Sequence, residues 1–121
     1  MSAIPPGSHE FSTPVYGTVF GGRSTVVQRL KPGDRLILVP DPPGIANASV
    51  WVHAPGGDVI GHLSPDVNSW LVSWMLAGER YGAEVMHVGG YNEASWKRLV
   101  ITVRRAPLTT QDGRSAISRE R

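Results

Sequence analysis

The chain contains no cysteine among its 121 residues. This absence excludes disulfide bonds, zinc ribbons, iron–sulfur clusters and thiol catalysis, and it agrees with a reducing, cytoplasmic setting. Long apolar runs are also missing, since no stretch approaches the roughly 20 apolar residues of a membrane-spanning helix. The first residues lack the basic and apolar regions of a signal peptide. We therefore expect a soluble, intracellular protein that makes no contact with a membrane.

Motifs of common catalytic sites are missing as well. The sequence has no Gly-x-Ser-x-Gly elbow, no Walker-type phosphate loop and no dinucleotide fingerprint. Ser64 and Ser24 are better explained as a helix cap and a helix-edge hydroxyl. His53 and His62 fall on one predicted hairpin, but two imidazoles without a third ligand make a poor metal site. The sequence therefore predicts a protein that is not an enzyme and holds no metal or other cofactor.

The size and the charge distribution are informative. A mass of 13.1 kDa with 40% apolar residues suits one domain with one modest core. Residues 1–96 carry five basic and eight acidic groups (−3), whereas residues 97–121 carry seven basic and two acidic groups (+5). Ten of the twelve cations are arginine, which suits planar contacts with phosphates or bases. The same distribution is compatible with a solvated strand edge and a polar tail.

Alternating and helical patterns divide the chain into short elements. Strands are predicted over 13–20, 35–39, 48–54, 59–63, 81–88 and 96–105, with a helical turn over 23–30 and one principal helix over 64–78. The continuous apolar run of 35–39 predicts either burial on both sides or a place in the middle of a closed sheet. In the principal helix, Ser64 is the expected hydroxyl N-cap, Pro65 the first residue, and Gly78 the C-terminal stop. These elements predict a mainly β fold with one principal helix: a small, OB-like, partly closed barrel of five to six strands.

The register of the central hairpin stays open. A two- or four-residue loop places Trp51 and His53 on the face of Ile60 and His62, whereas a three-residue loop places Val50 and Val52 there instead. Residues 1–12 are rich in Pro, Ser and Gly and predict a flexible N-terminal arm. Residues 106–121 are polar and without pattern, and they predict a disordered basic tail after a domain of residues 13–105.

Four segments, in this order, give the chain a family resemblance. They are Phe20-Gly-Gly-Arg23 with Leu30-Lys-Pro-Gly-Asp34; Leu38-Val-Pro-Asp-Pro42 with Asn47-Ala48; Ile60-Gly-His-Leu63; and Ala77-Gly78 with Arg80-Tyr81-Gly-Ala-Glu-Val85. Over about Val15 to Val103 the chain resembles the HIRAN domain, a small module found alone in bacteria and phages and at the N-terminus of some DNA-remodelling helicases. The resemblance implies an OB-related barrel and, as in the studied helicase, capture of a free 3′ end of single-stranded DNA.

The resemblance also implies a set of binding residues. By position, Phe20, His62 and Trp96 supply two stacking surfaces and one hydrogen-bond donor, and Asn47 belongs to the shared Asn-Ala segment. The family's Tyr-Asp pair is absent, because a shorter Pro43-Gly44-Ile45-Ala46 loop stands in its place. Asp41 substitutes for that carboxylate only if the short loop turns it inward. General single-strand binding is therefore expected in preference to 3′-end recognition.

The remaining aromatic residues allow two interpretations. Trp96 beside Lys97 and Arg98 combines stacking with phosphate attraction, and Tyr91 on the glycine-rich corner can assist. Trp51 and Trp96 each suit either core packing or stacking. The alternative function is a protein-interaction or self-associating module, in which Trp70 and Trp74 on helix 64–78 contact a protein partner or a second copy. The predicted nucleic-acid-binding set is Phe20, Asp41, Asn47, His62, Tyr91, Trp96, Lys97 and Arg98.

Overall fold

The computed structural model describes residues 4–90, 92–94 and 97–106. It contains two helices and six strands within these ranges. In chain order they are β1 (Glu10–Pro14), α1 (Arg23–Gln28), β2 (Arg35–Pro40), β3 (Val50–His53), β4 (Val59–His62), α2 (Pro65–Leu76), β5 (Tyr81–Val88) and β6 (Leu99–Arg105). None of the helices described is long and apolar enough to cross a membrane.

The six strands form one antiparallel sheet in the order β1-β6-β5-β2-β3-β4. The sheet curls until its two outer strands meet at one end. There Tyr16, just after β1, exchanges two backbone hydrogen bonds of 2.9 Å with His62 at the end of β4. Gly61 permits this approach, because a Cβ at that position would overlap the Tyr16 carbonyl oxygen and the Val15 side chain. The result is the predicted OB-like, partly closed barrel, a curled half-barrel with one principal helix.

The core lies inside this curl, under α2. Residues from both ends of the chain meet there, and the largest fully buried side chains are Ile60, Leu63, Leu71, Leu99, Ile101, Val15, Val27, Val50, Val52, Val67 and Val85. The β6 side chains Leu99, Ile101 and Val103 all point inward, as their alternation predicts. One face of the sheet is therefore packed, and we call the opposite face the outer face.

Strand β2 differs from its prediction. Its residues alternate, with Leu36 and Leu38 buried while Ile37 and Val39 are 49% and 39% exposed. Helix α2 contacts β2 and β3 from the core side, which leaves their outer face open. Antiparallel sheets commonly have one solvated face. Of the two predicted alternatives, a place in the interior of the sheet agrees with the structure, because β2 lies between β5 and β3. Burial on both sides was wrong, because an apolar run does not reveal how many layers cover it.

The first strand is also displaced from its predicted position. It was expected over 13–20 but runs over Glu10–Pro14, partly inside the predicted N-terminal arm. It pairs with β6 along its whole length, from Glu10 opposite Arg104 to Pro14 opposite Val100. This pairing joins opposite ends of the chain, so local pattern does not reveal it. Residues 107–121 lie outside the described residues, and the basic tail stays a prediction.

The central hairpin combines the two registers left open by the sequence. Trp51 pairs with His62, and a shift between Val52 and His53 leaves Ile60 as the extra residue of β4. Ile60 is fully buried together with Val50 and Val52. The β-bulge therefore keeps Trp51 beside His62 while Ile60 enters the core with the two valines.

Helix α2 begins and ends at the predicted residues, but its N-cap works differently. Ser64 has the extended N-cap conformation, yet its hydroxyl makes no cap hydrogen bond. Instead the Ser64 carbonyl accepts the backbone N–H groups of Val67 and Asn68 at 3.1 and 2.9 Å. At the C-terminus Gly78 has φ +105° and its N–H donates to the Met75 carbonyl, while the Glu79 N–H donates to the Trp74 carbonyl. This is the glycine-terminated Schellman arrangement.

Candidate nucleic-acid interface

Four residues form a row across the outer face where the sheet closes. Tyr16 pairs with His62, His62 with Trp51, and Trp51 with Val39. Adjacent strands lie about 4.8 Å apart, so the row extends over about 14 Å. The Tyr16 and His62 ring centres are 6.3 Å apart at 28°, and those of Trp51 and His62 are 5.5 Å apart at 74°. Directly paired strand residues share a face, so three rings are presented side by side.

Arg23, the first residue of α1, adds a cation to this row. Its guanidinium carbon lies 5.9 Å from the Trp51 ring centre and 5.9 Å from that of Phe20, which is 64% exposed. Arg23 Nη1 also donates a 2.9 Å hydrogen bond to the Gly17 carbonyl. We call Tyr16, Phe20, Arg23, Trp51 and His62 the aromatic surface.

Gly17 is required at its position by this arrangement. Its φ is +77°, and an added Cβ would lie 3.2 Å from His62 Cδ2 and 3.3 Å from Arg23 Nη1. A side chain would therefore strain the backbone and crowd both neighbours. The glycine lets the chain turn closely under the guanidinium and present its carbonyl to it.

Asp41 takes a different role from the one that the sequence suggested. Its Oδ1 accepts a 2.9 Å hydrogen bond from Trp51 Nε1, and its Oδ2 accepts one of 2.9 Å from the Ser49 backbone N–H. The carboxylate thus orients the Trp51 indole and ties the ends of the β2–β3 loop together. Its use as an acceptor for a terminal hydroxyl stays a prediction.

His62 lies between Tyr16 and Trp51 in the row, and the backbone carbonyl of Leu63 orients its ring. Its Nδ1 is 3.0 Å from the Leu63 carbonyl. Because a carbonyl only accepts hydrogen bonds, the bonded tautomer carries its proton on Nδ1 and leaves Nε2 as an acceptor in the neutral ring. The donor role predicted for His62 therefore requires the protonated ring.

Sequence reasoning missed Asn68 as the residue that supports His62. Asn68 is 8% exposed, donates through Nδ2 to the Leu63 carbonyl at 2.9 Å, and accepts the Val50 N–H through Oδ1 at 3.0 Å. It therefore joins α2 to β3 and to the end of β4. The available signal was an amide on the apolar face of the predicted helix, next to Val67 and Leu71.

A groove of about 690 Å³ adjoins the row, between the β2–β3 loop and α2. His62 lines it, so the groove and the aromatic surface share this residue. Asn47, one of the predicted binding residues, also lines the groove; it is exposed and has φ +52°. Asparagine tolerates this left-handed conformation better than most residues.

The two predicted cations lie beside the C-terminal end of α1, whereas Arg23 lies at its N-terminal end. Lys97 and Arg98 precede β6; the Lys97 N–H donates to the Ala94 carbonyl and Arg98 Nε to the Glu93 carbonyl. Gln28 Nε2, in the last turn of α1, donates to the neighbouring Gly89 carbonyl at 2.9 Å. Arg23 begins the same helix, whose six residues span about 9 Å. Tyr91 and Trp96 lie outside the described residues, and their roles stay predictions.

Trp70, the first of the two tryptophans of α2, is turned inward. Trp70 is 7% exposed and its ring centre lies 5.8 Å from that of Phe11 and 6.2 Å from that of Tyr81. The prediction of Trp70 as a partner contact is therefore wrong, because the N-terminal strand and β5 cover it. Burial also raises the pKa of Tyr81; Arg105 lowers that pKa and Glu79 raises it, each by a smaller amount.

Trp74 is half-buried within the same chain. The Arg105 guanidinium lies 5.3 Å from the Trp74 ring centre, and Arg105 is paired with Glu79 at 2.6 Å. A Cβ on Gly7 would lie 2.9 Å from the Trp74 ring. A homodimer or a protein partner docked on this helix stays a prediction. Within the described ranges, no three His, Asp or Glu side chains are grouped to hold a metal ion.

The curled sheet, its principal helix and the open aromatic surface define a HIRAN-like, OB-related half-barrel. Among solved structures, the chain is similar to the HIRAN domain of human HLTF, with 17% sequence identity and a TM-score of 0.59. The likeness covers 79% of this chain and 74% of that chain. No protein-family model and no curated protein matches the sequence. At this level of identity the likeness establishes the fold, and it confirms the architecture predicted from the sequence.

Proposed function

We propose that this protein is a non-enzymatic module that binds single-stranded nucleic acid, with DNA as the first candidate. The observation that carries the proposal is the placement of Arg23 between the rings of Phe20 and Trp51, beside the cross-strand pair of Trp51 and His62. A stacked base contributes about 1–3 kcal/mol, and proteins that bind single strands combine such rings with cations. The HIRAN-like fold supports the same function through the family resemblance.

The chemistry of the surface suits a strand of nucleotides. Phe20 offers a largely exposed ring, and Trp51 and His62 are half-buried, with the row open to the outer face. Arg23 uses Nη1 for the Gly17 carbonyl. A guanidinium carries five N–H donors, so the rest of its planar fork can contact a phosphate.

The same surface favours an internal stretch of strand over a free end. The Tyr-Asp pair of the family is replaced by a shorter loop, and the nearby Asp41 carboxylate holds Trp51 and the Ser49 N–H. No carboxylate is thus directed at a terminal hydroxyl by this loop. We infer that binding does not require a 3′ hydroxyl.

Fluorescence anisotropy with labelled oligonucleotides tests the proposal. A linear strand, the same strand with a 3′ phosphate and a circular strand should bind with similar affinity at low ionic strength and more weakly as salt rises. Absence of binding to DNA and RNA at low salt would refute the function. Binding confined to a free 3′ hydroxyl would refute the internal mode.

The basic C-terminal segment requires a separate control. Residues 106–121 carry Arg114, Arg119 and Arg121 and can attract nucleic acid by charge alone. A chain that ends at residue 105 should keep most of its affinity if the aromatic surface is the site. Loss of all binding in this chain, with its fold intact, would instead assign the function to the segment that was removed.

A further inference from the structure

We propose that the outer face of strands β2, β5 and β6 carries a docking site for a protein partner, which inserts one tyrosine or tryptophan ring over Gly82. The site is a notch of about 270 Å³ in the sheet, and we call it the outer-face notch. The outer-face side chains that line it are those of Arg35, Glu84, Thr102 and Arg104. No residue of the aromatic surface lies on these three strands, so the inference goes beyond the proposed function.

Gly82 keeps the notch open, although the fold does not require a glycine at this position. It lies inside β5, directly opposite Arg104 of β6. Its φ is not positive, and an added Cβ would meet no heavy atom of the described chain within 4 Å. A glycine inside a strand is unfavourable, and it often marks a place where a ligand or another backbone approaches closely. An occupant of the notch therefore explains the missing side chain.

Arg104 forms one wall of the notch and is oriented by two carboxylates. Its Nε donates to Glu10 Oε1 at 2.9 Å, and its Nη1 donates to Glu84 Oε1 at 3.4 Å. The N–H groups of a guanidinium lie in its plane, so these hydrogen bonds use the edge of the group and leave its faces for other contacts. Arginine stacks on aromatic rings through these faces. Arg104 therefore offers a stacking surface beside the bare backbone of Gly82.

The size and the polar groups of the notch suit one aromatic side chain. A cavity of about 150 Å³ accommodates benzene, so a notch of about 270 Å³ has room for a phenol or an indole. The O–H of a buried tyrosine and the N–H of a buried tryptophan usually need an acceptor. Glu84 and Thr102, which pair directly across β5 and β6, supply a carboxylate and a hydroxyl for this purpose.

The charges around the notch favour a protein over a nucleic acid. The cations Arg35 and Arg104 are matched in number by the carboxylates of Glu10 and Glu84. A nucleic-acid strand would bring its phosphates close to both carboxylates, and like charges repel. Among the described residues, Arg35 forms no ion pair with a carboxylate. An acidic residue beside the aromatic residue of the partner can therefore pair with Arg35.

Exposed apolar side chains extend the surface around the notch. Ile37 follows the lining residue Leu36 in β2 and is 49% exposed, and Met86 in β5 is 53% exposed. Methionine, arginine and aromatic residues are enriched at protein interfaces. Binding energy there is concentrated in a few anchors that fill pockets, surrounded by contacts that exclude water. The ring over Gly82 is such an anchor, and Ile37 and Met86 belong to its surroundings.

NMR titration with two capped dipeptides tests the site. N-acetyl-Glu-Tyr-amide carries an acid and a ring, whereas N-acetyl-Glu-Leu-amide has the same charge and no ring. The tyrosine peptide should shift the amide signals of Gly82 and Thr102 and the Nε–H signal of Arg104, with a dissociation constant in the millimolar range, as expected for so small a contact. The leucine peptide should leave these signals unchanged at the same concentration. Absence of shifts with the tyrosine peptide, or equal shifts with both peptides, would overturn the proposal.

Gly82→Val distinguishes a glycine kept for a ligand from one that the fold requires. The added side chain has free space and valine favours strands, so the variant should melt at least as high as the wild type. It should nevertheless bind the tyrosine peptide at least about tenfold more weakly, because its side chain fills the notch. The matched control is Ser12→Val, at an exposed strand position that does not line the notch. A lower melting temperature of Gly82→Val, or equal affinities of the two variants, would contradict the proposal.

A titration with a single-stranded oligonucleotide separates this site from the proposed function. The strand should shift the Trp51 indole signal and leave the signals of Gly82 and Thr102 unchanged. Shifts at Gly82 and Thr102 with the strand would assign the notch to nucleic acid and overturn the protein partner. Shifts with the tyrosine peptide but none with the strand would support the docking site and overturn the proposed function alone.

Discussion

Two clusters in this protein combine tryptophan with arginine, and they have opposite surroundings. In the aromatic surface, Arg23 lies 5.9 Å from the Trp51 ring centre and the rings face outward. In the second cluster, Arg105 lies 5.3 Å from the Trp74 ring centre, and it is paired with Glu79. Trp70, beside Trp74, is 7% exposed. The residue types, the cation–π distances and the half-burial of both tryptophans are similar, but only the first cluster includes a largely exposed ring, that of Phe20, at 64%.

The surroundings of each cluster, more than its residue types, separate the proposed binding surface from a structural contact. The Trp74 cluster is covered by the N-terminal segment at Gly7 and neutralised by Glu79. The Trp51 cluster has a carboxylate as well, but Asp41 approaches the indole N–H rather than the arginine. Among the described residues, Arg23 is therefore not paired with a carboxylate, whereas Arg105 is paired with Glu79.

The largest expected effect is a loss of stability when the buried ring of Trp70 is removed. Trp70→Ala should lower the free energy of unfolding by about 3–5 kcal/mol, the range for buried aromatic deletions. Trp51→Ala should cost clearly less, because Trp51 is only half-buried. Urea denaturation of the two variants makes the comparison. Equal losses would show that the two clusters are not structurally distinct.

Trp51→Ala should have its main effect on binding. Loss of one stacking surface should reduce affinity for a single strand by about 1–3 kcal/mol. The control is His53→Ala, which changes the next outer-face residue of β3, outside the row. Anisotropy titrations at constant salt give both affinities. Wild-type affinity in Trp51→Ala would remove this residue from the proposed site.

The two arginines should differ in the salt dependence of binding. Arg23→Gln removes one phosphate contact and should reduce the slope of log affinity against log salt by about 0.7. Arg105→Gln should leave that slope unchanged and instead lower stability by about 1 kcal/mol, through the lost ion pair and ring contact. If Arg105→Gln reduced the slope of log affinity against log salt more than Arg23→Gln did, the phosphate contact would belong to the Trp74 cluster instead of the aromatic surface.

Asp41→Ala tests whether the orientation of Trp51 matters. The variant leaves the indole N–H and the Ser49 N–H without their acceptor, so the ring should become more mobile and affinity should fall by a few fold. NMR relaxation of the Trp51 indole N–H, in a chain with all its tryptophans retained, reports the mobility. Weaker binding with unchanged ring mobility would argue for direct contact between Asp41 and the ligand.

Tyr81→Phe should have the smallest effect at neutral pH. The Tyr81 hydroxyl is buried without a hydrogen-bond partner in the described part of the chain, so its removal should change stability by less than about 0.5 kcal/mol. Burial raises the Tyr81 pKa above its ordinary value of 10.0. The stability linked to this proton is therefore complete below pH 10 and is lost as pH rises through the folded pKa. Tyr81→Phe should show a shallower alkaline loss in melting temperature; an unchanged profile would contradict this linkage.

Several features of the fold were readable from local pattern. Ser64, Pro65 and Gly78 marked the ends of α2, and the alternation of Leu99, Ile101 and Val103 marked the inner face of β6. The position of β1 was misjudged because its pairing partner, β6, lies more than 80 residues away. Two of the five residues of the aromatic surface, Phe20 and His62, were found by family resemblance, and Trp51 was left open between core packing and stacking. The places of Tyr16 and Arg23 in this surface, and the supporting role of Asn68, came from the structure alone.

The sequence by itself determined the types and order of the elements, because capping residues, turns and alternation act over a few neighbouring positions. It also supplied rings and arginines without showing which would face outward. Only the tertiary structure decided this, through closure of the sheet at Tyr16 and His62 and through the β-bulge that separates Ile60 from Trp51. Both depend on the register in which one segment pairs with another, and the residue pattern of a single segment does not contain that register.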